Sequence, residues 1–264
     1  MYKMVMLMGL LVAIVSTSAF GVGFMGPPTA ELDQGQWNVG FNYTYMSTDL
    51  DDTKIKSSEG SIDKLEINDN NVQRYYGTIG YGTSDVWEAY VQLGIADVKL
   101  EERDAEDPTD EWSGLNFDND FAWGWGTRYT FHEQNNCRWG VSLQMNWLDT
   151  SGDDEETNEE TQIDYETYDL LIAVGPTVDM GGWKLYGGPF YYMLDGDLDG
   201  KLTEYDPGAD ETYVSKFSGD LEEDSNIGGF VGAQFTMMEN YNMTTEFSFT
   251  GAGWAAGVGV YMAF

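Results

Sequence analysis

The chain has 264 residues, of which 42% are hydrophobic and 15% aromatic, and its formal net charge at pH 7 is −34. So negative a chain repels phosphate groups, which excludes nucleic acid as a partner. Its single cysteine, Cys137, excludes an intramolecular disulfide.

The N-terminal residues have the pattern of a secretory signal peptide. Lys3 gives a basic start, an apolar run follows over residues 5–15, and residues 17–19 (Thr-Ser-Ala) offer a small-residue cleavage site. The run is shorter than the ~20 apolar residues of a membrane-spanning helix. We therefore expect residues 1–19 to be a removed signal peptide and residues 20–35 to be a short lead.

From residue 36 onward, bulky apolar residues alternate with small or polar residues in ten successive segments. This period of two is typical of β-strands, and each segment is close to the ~9–11 residues of a tilted strand that crosses a membrane. In the fifth segment, for example, Trp139, Val141, Leu143, Met145 and Trp147 share one face. In chain order the segments cover residues 37–45, 71–82, 87–95, 121–131, 139–147, 168–174, 183–194, 227–235, 241–249 and 254–264.

The connections between the segments alternate in length. Short turns are predicted at residues 82–86, 133–136, 179–182 and 237–240, and long loops at 47–70, 99–120, 149–164 and 195–226. The long loops hold most of the acidic residues, so they form a strongly negative surface at one end of the sheet.

The last segment ends the chain on an aromatic residue, with Phe264, Met262, Val260 and Val258 on one face. This terminal strand and the alternating connections resemble the small bacterial outer-membrane β-barrels, the OmpA-like and porin-like group. The resemblance implies an all-β, transmembrane, antiparallel up-and-down barrel of about ten strands over residues 36–264, with eight or twelve strands as alternatives. It also implies a Gram-negative outer membrane, lipid-facing bulky side chains, acidic extracellular loops, and residues 20–35 as a periplasmic lead. In that group the terminal aromatic residue is read by the barrel-insertion machinery, so Phe264 is expected to bind it.

Several charged residues fall on the faces expected to point into the lumen. They are Arg74, Glu88, Arg128 and Glu246. Isolated buried charges are unfavourable, so we expect Arg74 or Arg128 to pair with Glu88 or Glu246. Such pairs predict a narrow or plugged lumen.

The fourth long loop contains a sharper motif, which resembles a calcium loop of EF-hand type. Carboxylates stand at its first, third and fifth positions, glycine at the sixth and a carboxylate at the twelfth. Two features depart from that pattern, because the twelfth residue is Asp and no helices flank the loop. The alternative is a solvated acidic loop. The candidate calcium ligands are Asp195, Asp197, Asp199, Thr203 and Asp206.

No family-specific functional motif is present. His132, the single histidine, falls in a predicted short turn, far from the outer rim where barrel proteases of omptin type place their histidine. We therefore expect no enzyme and no cofactor other than calcium. The expected role is structural or that of a small cation-favouring porin or channel, with a surface adhesin or receptor as the alternative and an omptin-type hydrolase behind both. Outer-membrane lipid and lipopolysaccharide are the expected partners, and the sequence leaves solute and oligomeric state open.

Overall fold

A computed structural model describes residues 23–49, 53–57, 62–104, 113–117, 119–156, 159–206, 211–222 and 226–264. The predicted signal peptide, residues 1–19, lies outside these ranges. Among the described residues no helix has the length and apolar character needed to cross a membrane.

The described chain is built from β-strands, which follow the predicted segments closely. They are β1 Trp37–Thr48, β2 Thr53–Ser57, β3 Ile62–Ser84, β4 Trp87–Asp104, β5 Ser113–Asn116, β6 Asp120–Gln134, β7 Cys137–Glu156, β8 Glu159–Asp179, β9 Trp183–Asp206, β10 Glu211–Glu222, β11 Ile227–Met238, β12 Tyr241–Phe249 and β13 Gly253–Ala263.

Ten of these strands form a closed ring, which confirms the predicted ten-stranded antiparallel barrel. The ring order is β1, β3, β4, β6, β7, β8, β9, β11, β12 and β13, and β13 pairs back onto β1. At the seam, Phe264 N donates to Trp37 O at 2.9 Å and Trp37 N donates to Phe264 O at 3.0 Å. Each ring strand therefore has two neighbours, and no row of backbone groups is left unpaired towards lipid.

Bulky side chains point away from the ring and polar or small ones point into it, as the alternation predicts. Along β7, Trp139 is 42% exposed, whereas Ser142 is 3%, Gln144 4% and Asn146 1% exposed. Exposed rings also stand at the short-turn ends of the strands, and Trp87 is 51% exposed there. Such a surface suits hydrocarbon with aromatic belts at its edges.

The prediction of four long solvated loops is wrong, because most of their described residues continue the strands. β9 has 24 residues, which at ~3.3 Å per residue and ~40° tilt reach about 60 Å, well beyond an apolar band of ~25 Å. At the far end β10 pairs with β9 and β2, β2 with β3, and β5 with β4. We call the parts of β2–β5 and β7–β10 beyond the ring the extension.

The extension is stable as a sheet because its inner face is apolar. Ile163, Tyr165, Leu198 and Leu221 are all buried there. In the sequence these residues alternate with acidic or polar neighbours, so the period of two that marks the membrane strands continues into the predicted loops. The high acidic content of these stretches concealed that alternation.

Candidate functional site in the lumen

The N-terminal lead enters the barrel from the short-turn end and fills that half of the lumen. Residues 23–32, here called the plug, are buried almost throughout, with Met25 1%, Thr29 0% and Ala30 1% exposed. At the mouth, Gly35 N donates to Gly82 O at 2.8 Å and Gly82 N donates to Gln36 O at 2.9 Å. The prediction of a lead outside the barrel is therefore corrected for residues 23–32, which pack against its inner wall.

Glycines in the wall make room for the plug. A Cβ on Gly140 would collide with the Pro28 carbonyl, and one on Gly257 would collide with the Phe24 ring. Within the plug, Gly26 has φ 72°, and a Cβ there would lie 2.8 Å from an Arg128 nitrogen. These close approaches require residues without a side chain.

Charged wall residues hold the upper part of the plug through its backbone. The Glu246 carboxylate accepts hydrogen bonds from Met25 N at 2.8 Å and Gly26 N at 2.9 Å, and a third from the Tyr186 hydroxyl at 3.0 Å. Arg128 donates to Met25 O at 2.7 Å. Three hydrogen bonds to one buried carboxyl group and one from the charged Arg128 guanidinium together dock this end of the plug firmly.

A second set of charges holds the lower part. Arg128 pairs with Glu88 at 2.5 Å, and Glu88 also accepts from Glu31 N at 2.7 Å. The Glu31 side chain in turn pairs with Arg138 at 2.5 Å and with Lys184. The plug is thus part of one charge network with four wall strands, β4, β6, β7 and β9.

A buried ion pair crosses the lumen just above the plug. Arg74 on β3 lies 2.6 Å from Asp169 on β8, with their side chains 6% and 2% exposed. The shorter way round the ring from β3 to β8 passes β4, β6 and β7, so the pair spans the interior. Asn146 donates to the same carboxylate at 2.5 Å, which satisfies a second acceptor position.

The remaining half of the lumen, towards the extension, is filled by apolar side chains. Met46, Val72, Val98 and Leu148 lie beyond the ion pair and are each 0–3% exposed. The cavities beside the plug are small, about 10 Å³ near Arg128 and about 30 Å³ between the plug and β11–β12. A cavity of that size holds about one or two waters, so these spaces form no continuous aqueous path.

The four predicted lumen residues all lie inside the barrel, with partners only partly those expected. Arg128 pairs with Glu88, whereas Arg74 takes Asp169 and Glu246 takes plug backbone. Sequence reasoning missed the roles of Tyr186, Arg138, Lys184 and Glu31. The inward positions of the first three could have been predicted, since they alternate with the outward residues Leu185, Trp139 and Trp183. Glu31 lies in a stretch without periodicity.

The structure does not assemble the predicted calcium loop, because its residues lie in β9. Asp195, Asp197 and Asp199 are exposed on one face of that strand, while Leu198 between them is buried. Their ladder partners on β8 and β10 keep the strand extended, so Thr203 and Asp206 stay far along it. No group of three or more metal-binding side chains within the described ranges is placed to hold an ion.

Comparison with known proteins gives one family match and several similar folds. Residues 87–264 match the family described as outer membrane protein beta-barrel domain, and no curated protein matches the chain. The outer membrane protein OprG from Pseudomonas aeruginosa is 12% identical, with 88% of this chain and 97% of that chain covered and a TM-score of 0.46. The outer membrane protease OmpT from Escherichia coli is 12% identical, with 92% and 99% covered and a TM-score of 0.45. Ail, the attachment invasion locus protein of Yersinia pestis, is 14% identical, with 88% and 99% covered and a TM-score of 0.30. At such identities and TM-scores these resemblances carry no conclusion about this chain.

Proposed function

Because this chain belongs to the outer membrane protein beta-barrel domain family and its lumen is filled in both halves, we propose that it serves as a closed, non-enzymatic scaffold. It spans the bacterial outer membrane and presents its acidic extension at the cell surface. The short-turn end faces the periplasm, as is usual in such barrels.

The filled lumen is the observation that carries this proposal. A cation-favouring channel, the other role expected from the sequence, needs a continuous aqueous path. Here the plug blocks the periplasmic half, and the side chains around Val72 and Leu148 occupy the other half. Release of the plug alone leaves the second obstruction in place, which favours a permanently closed barrel over a gated channel.

Single-channel recording in planar bilayers tests the proposal. We expect no conductance steps from the full chain, and none from a variant that lacks residues 23–32. Insertion is verified in both samples by flotation with liposomes and by protease protection. Stable, cation-selective steps from the inserted full chain would establish a channel instead.

A surface adhesin or receptor is a second candidate, favoured by the extension. Its hairpin of β7 and β8 is paired down to Glu156 and Glu159, so it forms a rigid projection. Shortening that hairpin by removing residues 151–164 and inserting a two-residue turn should abolish attachment of expressing cells to a host surface if the extension binds a partner. Unchanged attachment, with equal surface expression, argues against this role.

Phe264 is proposed as the contact for the insertion machinery. Its side chain is 62% exposed and stands at the seam where the last strand meets the first. An exposed ring at the periplasmic edge is accessible to another protein during assembly.

A further inference from the structure

A groove on the outer surface lies where the extension leaves the barrel, and no part of the proposed function uses it. It has a volume of about 340 Å³, and rings and carboxylates from β6, β7, β8 and β9 line it. A concave site of that size is within the usual range for small-molecule sites.

The lower wall of the groove is a row of aromatic rings. Trp123, Trp147 and Tyr168 are neighbours across β6, β7 and β8. The two indoles stack with centroids 4.3 Å apart and an interplanar angle of 9°. Phe121 stands two residues beyond Trp123 on β6, towards the extension, and is 59% exposed. These rings stand at the level where the lipid-facing surface ends, so they meet both acyl chains and head groups.

The upper wall is a row of carboxylates two residues further along the same strands. Asp149, Glu166 and Asp197 are exposed cross-strand neighbours on β7, β8 and β9. Like charges placed directly opposite one another destabilise a sheet. Asp195, at the end of the aromatic row, accepts a hydrogen bond from the Tyr168 hydroxyl at 2.9 Å, which joins the two walls.

We propose that this groove binds an outer-leaflet amphiphile whose head group carries an ammonium charge. The groove matches such a molecule in both charge and polarity, because its carboxylates lie on the water side of its rings. The head group lies among the three carboxylates and over the ring faces, which attract cations, while the alkyl chain runs from Phe121 past Trp123 towards the hydrocarbon. The two rows are ~7 Å apart along the strand, the separation of an ammonium head from the first few methylenes. A phosphate head group is repelled by the same carboxylates.

Lipid-association measurements by electron paramagnetic resonance test this inference, which does not depend on whether the lumen conducts. The full chain is placed in zwitterionic nanodiscs with a spin-labelled dodecylammonium probe or its dodecyl sulfate analogue. We expect preferential immobilisation of the ammonium probe. The variant Glu166→Gln/Asp197→Asn should lower its association about three- to tenfold, as expected for the loss of two exposed ionic contacts.

The matched control is Asp164→Asn/Asp199→Asn, another cross-strand carboxylate pair on the same two strands but two residues farther from the rings. It removes the same charge and should leave association nearly unchanged. An equal loss in both variants would show a general surface-charge effect and overturn the groove. Equal association of the sulfate probe, or calcium-dependent association of a dodecyl phosphate in its place, would also overturn an ammonium ligand.

Discussion

The substitution Glu246→Gln should loosen the plug while it leaves the barrel intact. The native carboxylate accepts three hydrogen bonds, from Met25 N, Gly26 N and the Tyr186 hydroxyl. A glutamine side chain has only one acceptor oxygen. Its NH2 group therefore faces at least one of the three donors and cannot accept that hydrogen bond. The loss of one or two hydrogen bonds, with buried donors left without an acceptor, amounts to about 2–4 kcal/mol of plug-docking free energy.

Hydrogen exchange measured by mass spectrometry follows this change directly. Since ~1.4 kcal/mol corresponds to a factor of ten, amides of residues 24–32 should exchange about 30- to 1000-fold faster in the variant. The amides of β12, the strand that contains residue 246, should keep their slow exchange because the hydrogen bonds between strands are unaltered. Glu239→Gln, the same substitution at an exposed site in the β11–β12 turn, is the matched control and should change nothing.

One result would refute the reasoning. If plug amides exchange at the native rate in Glu246→Gln, the carboxylate does not hold the plug, and wall packing alone must account for its position. Faster exchange throughout the barrel would instead show that Glu246 supports the barrel as a whole.

Four further outcomes are expected. Arg74→Met should destabilise the barrel by about 3–5 kcal/mol in urea titrations in lipid vesicles, because Asp169 is left charged and buried, and Arg74→Met/Asp169→Leu should recover most of the loss. Gly140→Val should expel the plug, seen as protease cleavage within it, while heat-modifiable migration of the barrel persists; an uncleaved plug would contradict the steric argument. Calorimetric titration with calcium should show no saturable binding at Asp197, since that residue lies in an extended strand. Saturable binding that is lost in Asp197→Asn would contradict this expectation. Deletion of Phe264 should lower the folded fraction in cells without altering refolding of purified protein into detergent, and equal loss in both assays would point to seam stability instead.

The barrel itself was predictable because lipid imposes a simple rule on every strand. Trp139, Val141 and Leu143 alternate with small or polar residues, and only a closed antiparallel ring exposes such faces to hydrocarbon without unpaired backbone groups. The extension was missed for the opposite reason. Around Leu198 the alternation is the same, but the aspartates beside it suggested a solvated loop and a calcium motif.

Some contacts in the lumen could be predicted from the sequence, and others could not. The inward positions of Arg128 and Glu88, two partners on adjacent strands, follow from strand phase. The pairing of Arg74 with Asp169 does not, because these strands are distant in the ring and meet only across the interior. The plug was invisible from sequence, since residues 23–32 have no period and gain their structure from the wall that surrounds them.

Local patterns along the chain were enough to predict the closed ring, the outward apolar face and the charge at its outer end, because each depends on which solvent a strand face meets. How the lumen is filled became clear only from the three-dimensional structure. That outcome depends on whether glycine gaps, carboxylates and an unpatterned segment meet in three dimensions, and distances between non-adjacent strands are set only when the ring closes.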